Sequence, residues 1–298
     1  MNRLSIEERA KIIRILVEGT SLRACTRISG LSYNAVKKLL IDVGKACQQF
    51  HNDNVVNVAA KKVQCDEIWS YVYCKDRNVD FCTKKDEQHV GDAWTWVGID
   101  ADTKLVISWL VGNRDADCAH EFMLDVASRL RSRVQLSTDG FKPYLRAVEN
   151  AFEDEIDYAM LIKTYGQPEG GSNERRYSPA VCTGITKRWV SGDPVEEDIS
   201  TSYIERQNLT MRMHMRRFTR LTNAFSKKIE NHCHAIAIHY VYYNFIRRHN
   251  TLKVTPAMAA GLTSRPMTIE DMVRMAYADE IAKEEKIKAR YKRPAPAV

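Results

Sequence analysis

The order in which apolar patterns change along residues 63–163 leaves few folds open. Residues 63–73 are rich in β-branched and aromatic side chains and read as a strand. Residues 94–100 read as a second strand, Asp102 and Thr103 as a turn, and residues 105–111 as a third strand. Residues 117–131 then switch to helical spacing, with Phe122, Val126 and Leu130 on one stripe. Residues 134–139 read as a fourth strand, a helix is expected from about Pro143, and residues 158–163 read as a fifth strand. The first three strands are expected to be consecutive and antiparallel, with the first and fourth as neighbours at the sheet centre.

The flanking segments follow other rules. Ser5 with Glu8 three residues on resembles a capping box opening an apolar-periodic helix, with Ile12, Ile13, Leu16 and Val17 on one face. Gly19 ends it, Ser21 opens a short second helix closed by Gly30, and Ser32 caps a third with Val36, Leu39, Leu40 and Val43 inward. A short helix, a Gly-containing turn and a helix carrying Tyr33, Asn34, Lys37 and Lys38 form a helix-turn-helix pattern over residues 1–50. A docking module with basic faces fits the same pattern. Residues 51–62 read as a linker. Residues 166–202, rich in Gly, Pro, Ser and charge, are expected to be a loop or inserted hairpin. Residues 201–249 are expected to be strongly helical, and residues 257–298 a helical, basic C-terminal tail.

Charge is distributed unevenly. The chain of 298 residues carries a net +7, but residues 1–64 hold +6, residues 65–202 hold −9, residues 203–250 hold +7 and the remainder +3. Basic blocks suit a polyanion such as nucleic acid, and an acidic middle would repel it unless cations lie between. The eight cysteines include no C-x-x-C pair, which speaks against a zinc ribbon and for free thiols in a reducing compartment. No apolar run approaches the roughly 18 residues needed to cross a bilayer, and the first residues carry charge through their apolar stretch, unlike a signal peptide. A cytoplasmic, nucleoid-associated protein is expected.

Three carboxylates stand at unusual positions. Asp66 lies mid-strand, where burial without a partner is costly. Asp139 ends the fourth strand before Gly140, and Glu205 opens a helix rich in cations: Arg206, Arg212, Arg216 and Arg217. The strand order is that of an RNase H-like fold, α/β with a mixed sheet flanked by helices and here preceded by an all-α helix-turn-helix. A helix bearing Glu205 could pack across the ends of the first and fourth strands. Converging carboxylates would bind hard cations such as Mg²⁺ or Mn²⁺, and two ions could serve phosphodiester exchange. Taken singly, Asp139-Gly140 fits a plain turn, Asp66-Glu67 an edge charge and Glu205-Arg206 a surface pair. His232 and His234, two apart on a helix, point to different faces and make a poor metal site. Trp94, Trp96 and Trp109 are expected in the core.

The runs Cys65-Asp66-Glu67-Ile68-Trp69-Ser70-Tyr71-Val72, Ser137-Thr138-Asp139-Gly140 and Ile204-Glu205-Arg206-Gln207-Asn208-Leu209 with Arg212 resemble the DDE transposases of bacterial insertion sequences, in particular the family named after insertion sequence one. The resemblance spans roughly residues 61–256. It implies that Asp66, Asp139 and Glu205 are the metal-binding catalytic triad of an enzyme that cleaves DNA at element ends and joins them to target DNA, acting as a homodimer or higher oligomer. Members of that family often carry a zinc finger ahead of the helix-turn-helix; the N-terminal residues here hold no Cys/His set of that kind. The helix at 32–50 is expected in the DNA major groove, with Lys37 and Lys38 on phosphates and Asn34 near base edges, and Arg23 and Tyr33 are expected among the DNA-binding residues. Arg206, Asn208 and Arg212 are also expected at DNA, Arg212 either at its backbone or in support of the active site. Two other functions fit the same residues: a DNA-binding regulator with an inactive RNase H-like domain, and a metal-dependent nuclease or resolvase.

Overall fold

In a computed structural model, residues 3–85, 89–166, 180–219 and 222–291 are described. Three helices come first: α1 (Ile6–Val17), α2 (Leu22–Ser29) and α3 (Tyr33–Asn54). The expected capping box forms: the Ser5 amide donates to Glu8 Oε2 at 2.7 Å and the Glu8 amide to Ser5 Oγ at 3.1 Å. Ser21 and Ser32 cap α2 and α3 through their hydroxyls, and Gly30 ends α2 at a φ of 73°, where a side chain would be strained.

The sheet has six strands: β1 (Lys62–Val72), β2 (Gly91–Asp100), β3 (Val106–Gly112), β4 (Val134–Thr138), β5 (Ile156–Gly166) and β6 (Val181–Ser191). Their order is β3-β2-β1-β4-β5-β6. The pairs β1/β2, β2/β3 and β5/β6 are antiparallel; β1/β4 and β4/β5 are parallel. This is the RNase H-like mixed sheet, flanked by helices, that the element order predicts. Helices α4 (Ala116–Arg129) and α5 (Pro143–Phe152) make the parallel crossovers. The segment expected as a loop or hairpin is a hairpin in part: β6 returns along β5 from Gly166↔Val181 to Tyr158↔Ser191, and residues 167–179 lie outside the described residues.

The stretch 201–249 is largely helical, as expected: α6 (Ser202–His214) stops at Met215, a single 3-10 turn follows at Arg216–Phe218, and α7 (Ile229–Val241) starts afresh and ends in a π turn at Tyr242–Ile246. The stretch 51–62 begins inside α3, because His51 is buried and bonds the Ile107 carbonyl at 3.0 Å, which continues the helix to Asn54. Past the sheet come α8 (Pro256–Ala259), α9 (Ile269–Ala276) and α10 (Ala278–Tyr291). Met272 and Val273 of α9 are fully buried, and Arg9 pairs with Glu280 at 2.8 Å, so the C-terminal helices pack back on α1. Residues 292–298 of the expected tail lie outside the described residues.

One apolar cluster runs from Ile13 and Leu40 through Val63, Phe122 and Leu136 to Val273. Trp96 is its largest wholly buried side chain, while Trp94 and Trp109 are half-buried. Helices α3 and α7 pack against each other across Gly44: a Cβ there would stand 2.7 Å from the His234 Cα and 2.8 Å from its carbonyl oxygen. Only glycine allows backbones that close.

Candidate metal and phosphodiester site

Strand β4 stops where β1 does not. The two pair from Lys62↔Gln135 to Cys65↔Thr138, and β1 then continues alone with β2 to Val72. Asp66, Glu67 and Asp139 are the residues at that step in the sheet. Successive β-residues face opposite sides, yet at the end of β4 both Asp66 and Glu67 can reach Asp139. Oxygens of the three carboxylates lie within 4.8 Å of one another.

Each carboxylate has a defined holder. Asn208 on α6 donates from Nδ2 to Asp66 Oδ2 at 2.9 Å. Arg114, just beyond β3, donates from Nε to Glu67 Oε2 at 3.1 Å and from Nη2 to Asp139 Oδ2 at 3.4 Å. Its guanidinium also lies over the Phe141 ring, 3.9 Å from the centroid. The Phe141 amide donates to Asp139 Oδ1 at 2.9 Å, which fixes the turn after β4.

Glu205 reaches the site from α6. Buried Gln64, two residues before Asp66, accepts from the Tyr203 and Ile204 amides at 2.9 and 3.1 Å. A β1 side chain thereby satisfies the free N–H groups that open α6 and fixes that helix to the strand bearing Asp66. Ile204 and Met211 then pack on Ile68, Val97 and Val106. The Glu205 carboxylate is held by Lys163 of β5 and by the Thr201 hydroxyl, the latter at 2.5 Å. Glu205 is not within the tight carboxylate group, but it lines the same cavity of about 990 Å³ with Asp66, Glu67, Asp139 and Arg212.

The electrostatics favour a bound cation. Burial, then the charges of Glu67 and Asp139, push the Asp66 carboxyl up to about 7. Burial and Asp139 likewise raise Glu67, with the Tyr144 hydroxyl and then Arg114 opposing. Glu67 Oε1 is buried beside the Tyr144 hydroxyl, and neither atom makes a well-aligned hydrogen bond among the described residues. Three carboxylates whose oxygens lie within 4.8 Å of one another form an all-oxygen donor set, which suits Mg²⁺ or Mn²⁺.

The other expected site residues fall in three places. Arg212 lines the carboxylate cavity, and Arg206 is exposed one residue after Glu205. Asn208, expected at DNA, is instead 4% exposed with its amide on Asp66, because α6 turns that face onto β1. Arg23 and Tyr33 line a separate cleft of about 630 Å³ with Arg216, Arg217 and Lys227, and the Arg23 guanidinium sits 5.5 Å from the Tyr33 ring centroid. Asn34, Lys37 and Lys38 lie on the first turns of α3, and Lys38 pairs with Asp42 at 2.5 Å. His232 is a buried structural residue that bonds the hydroxyls of Ser226 and Ser70 at 2.9 and 3.2 Å. Sequence reasoning missed Gln64, Arg114, Lys163 and Thr201. Their side-chain types are ordinary, and only strand register brings them to the carboxylates.

No curated protein matches the chain. Among solved structures, a cryo-EM structure of a piggyBac transposase synaptic complex with hairpin DNA aligns over 99% of this chain and 74% of that one, at 9% identity and a TM-score of 0.45. Residues 185–247, which span part of β6, all of α6 and α7, and the π turn, match the family described as IS1 transposase. By that match and by its sequence motifs, the chain resembles a DDE-type transposase of the insertion-sequence-one kind.

Proposed function

We propose that the chain is a DDE transposase that cleaves DNA at the ends of an insertion sequence and transfers the freed ends to target DNA. The observation that carries this reading is the convergence of Asp66 and Asp139 at the step between β1 and β4, with Glu205 on the wall of the same cavity. In this reading residues 1–50 grip the element end, residues 63–256 carry out the chemistry, and residues 257–291 buttress the first helices.

Asp66, Asp139 and Glu205 would hold Mg²⁺ or Mn²⁺, with Glu67 adding an oxygen. When bound, such ions supply charge neutralisation at the phosphoryl oxygens and a more acidic nucleophile. The chain's own residues do the rest. Asn208 and Arg114 orient Asp66 and Asp139. Gln64 and Thr201 fix the turn that presents Glu205. Arg212, on the cavity wall, is placed for a phosphate oxygen. In the first step water attacks the phosphorus, the P–O3′ bond breaks and a 3′-hydroxyl leaves. In the second that hydroxyl attacks a target phosphodiester in line, forming a new P–O3′ bond and releasing a target 3′-hydroxyl. Bonds balance in both steps without an external energy source. DNA is the partner, and two element ends call for at least two copies of the chain.

The test is strand transfer with labelled DNA carrying the flanking element ends, a target plasmid and Mg²⁺ or Mn²⁺. Joined products are expected from the wild type and none from Asp139→Asn. Specific binding without cleavage would establish a regulator in its place, and cleavage without joining a nuclease.

A further inference from the structure

The cleft of about 630 Å³ beside α2 is the electrostatic opposite of the carboxylate site. Arg23, Arg216, Arg217 and Lys227 line it, and among the described residues no carboxylate does. Arg23 belongs to α2, whereas the other three cations lie between α6 and α7, so two separate parts of the chain enclose one basic space.

Arg217 is the group within it that lacks an opposite charge. It is partly buried and makes no ion pair among the described residues. Its Nη1 donates to Ser226 Oγ and to the Asn231 carbonyl, each at 3.0 Å, and both acceptors are neutral. Nε and Nη2 have no hydrogen-bond partner among the described residues. Burial pushes the guanidinium down to about 10, with only the Cys233 thiol and the Tyr33 hydroxyl opposing. A cation drawn out of water without an anion is costly. The group is also held from behind. Ser226 Oγ donates to His232 Nδ1 at 2.9 Å, His232 Nε2 donates to Ser70 Oγ at 3.2 Å, and Ser70 donates to the Ala93 carbonyl at 2.8 Å. Ser226 also bridges Val72, and its carbonyl accepts from the Tyr73 amide at 2.8 Å. The guanidinium is thereby tied to β1, the strand that carries Asp66.

We propose that this cleft is a phosphate site in which Nε and Nη2 of Arg217 grip two oxygens of one DNA phosphodiester, with Arg23 adding charge from α2. The planar fork of a guanidinium matches two phosphate oxygens, and one nitrogen of this fork is already fixed. Tyr33 stands near both cations: its ring centroid is 5.5 Å from the Arg23 guanidinium, and its hydroxyl acts on the charge of Arg217. The assignment of the phosphate to DNA rests on the proposed function; the anion site does not. The DNA contacts expected from the sequence lie on α2, α3 and α6. This site adds the segment from Arg216 to Lys227, and its ligand is the counter-charge that joins the first helices to β1.

The full chain is titrated with inorganic phosphate at constant ionic strength and followed by thermal unfolding, then with duplex DNA across a salt series by fluorescence anisotropy. Phosphate is expected to stabilise the wild type where chloride does not. Arg217→Gln is expected to weaken phosphate binding about tenfold. It should also lower the slope of log affinity against log salt by about 0.9, the share of one phosphate. Arg217 also bonds its neighbours, so a second variant separates binding from folding. Arg23 is exposed and makes no ion pair or hydrogen bond among the described residues. Arg23→Gln is expected to keep the wild-type urea midpoint and to weaken phosphate binding about threefold. Phosphate binding lost in both variants with an unchanged DNA slope would keep the anion site and overturn its assignment to DNA. No stabilisation by phosphate, with the wild-type slope in both variants, would overturn the site itself. Asp139→Asn leaves the cleft intact and is expected to keep the wild-type slope. Strand transfer by the wild type with unaltered slopes in both cleft variants would remove this site and leave the transposase reading standing. Phosphate binding that depends on Arg217 and Arg23 in a chain that joins no DNA would do the reverse.

Discussion

Asn208 Nδ2 lies 2.9 Å from Asp66 Oδ2, so the helix that carries Glu205 is bonded directly to the first carboxylate of the site. That hydrogen bond favours the ionised form of a carboxyl that burial holds up near about 7. Asn208→Ala removes it. The Asp66 carboxyl is expected to titrate about one unit higher, the equivalent of a bond to a charged group worth about 1.5 kcal/mol. A ¹³C-detected carboxyl titration checks this, and the alkaline shift is expected again in the rising limb of the cleavage profile.

The raised Asp66 carboxyl also sets a stability window. Between the ordinary range near 4 and about 7 the folded chain keeps a proton that the unfolded chain releases. Fewer protons bound by the unfolded state means that stability from this group falls as pH rises through that window. Asp66→Asn is therefore expected to be more stable than wild type by about 1–2 kcal/mol at pH 8 without divalent ions, and to show no such gain at pH 4. Urea unfolding at the two pH values measures both.

Divalent ions are expected to stabilise the folded chain. At ten times its dissociation constant, Mg²⁺ or Mn²⁺ would add about 1.4 kcal/mol, or about 2 °C in Tm for a chain of this size. Asp139→Asn should lose most of that increment. Thermal unfolding with and without the ion tests the donor set independently of DNA chemistry.

Arg114 is expected to matter more for its charge than for its bulk. It meets Glu67, whose side chain is 1% exposed, and Asp139 beside it. Arg114→Ala leaves the Glu67 carboxylate buried without its cation, for an expected loss of about 3 kcal/mol. Adding Glu67→Gln should restore a large part of it. A double-mutant cycle in chemical denaturation gives the coupling.

Acid should unfold the chain early. Burial holds His51 and His239 down to about 3, and His232 well below its usual value. These rings stay neutral in the fold and take up protons when it opens, so the stability they contribute is complete above about 6.5 and is lost as pH falls. His239 Nε2 has no hydrogen-bond partner among the described residues. His239→Leu is expected to flatten the dependence between pH 6 and 4 by up to about 1.4 kcal/mol per unit.

The strand order was legible because each strand carries β-branched or aromatic residues in short runs punctuated by turns, and each helix carries a 3.6-residue stripe. Asp66, Asp139 and Glu205 were legible because a carboxylate is out of place mid-strand or gains from a helix start. Other elements were hidden for physical reasons. The break after His214 follows from Met215 and Phe218 folding into the core, a tertiary effect that local propensity does not show. The β6 hairpin was legible only as one of two readings, because the Gly, Pro and polar residues of 166–202 fit a loop equally. Glu67 reads as an edge charge until the early end of β4 gives it a common neighbour with Asp66. Asn208 reads as a surface amide until the face of α6 is known.

The glycine at position 44 has a mechanical consequence. Helix α3 spans 22 residues, about 33 Å at the usual rise. Its first turns carry Tyr33, Asn34 and Lys37, and its middle is pressed backbone to backbone on α7. The helix is thus one arm of a caliper whose pivot is locked. Whatever its tip grips is held at a set span from the carboxylates, and changing that span requires prising α3 from α7 rather than swinging a loose tether.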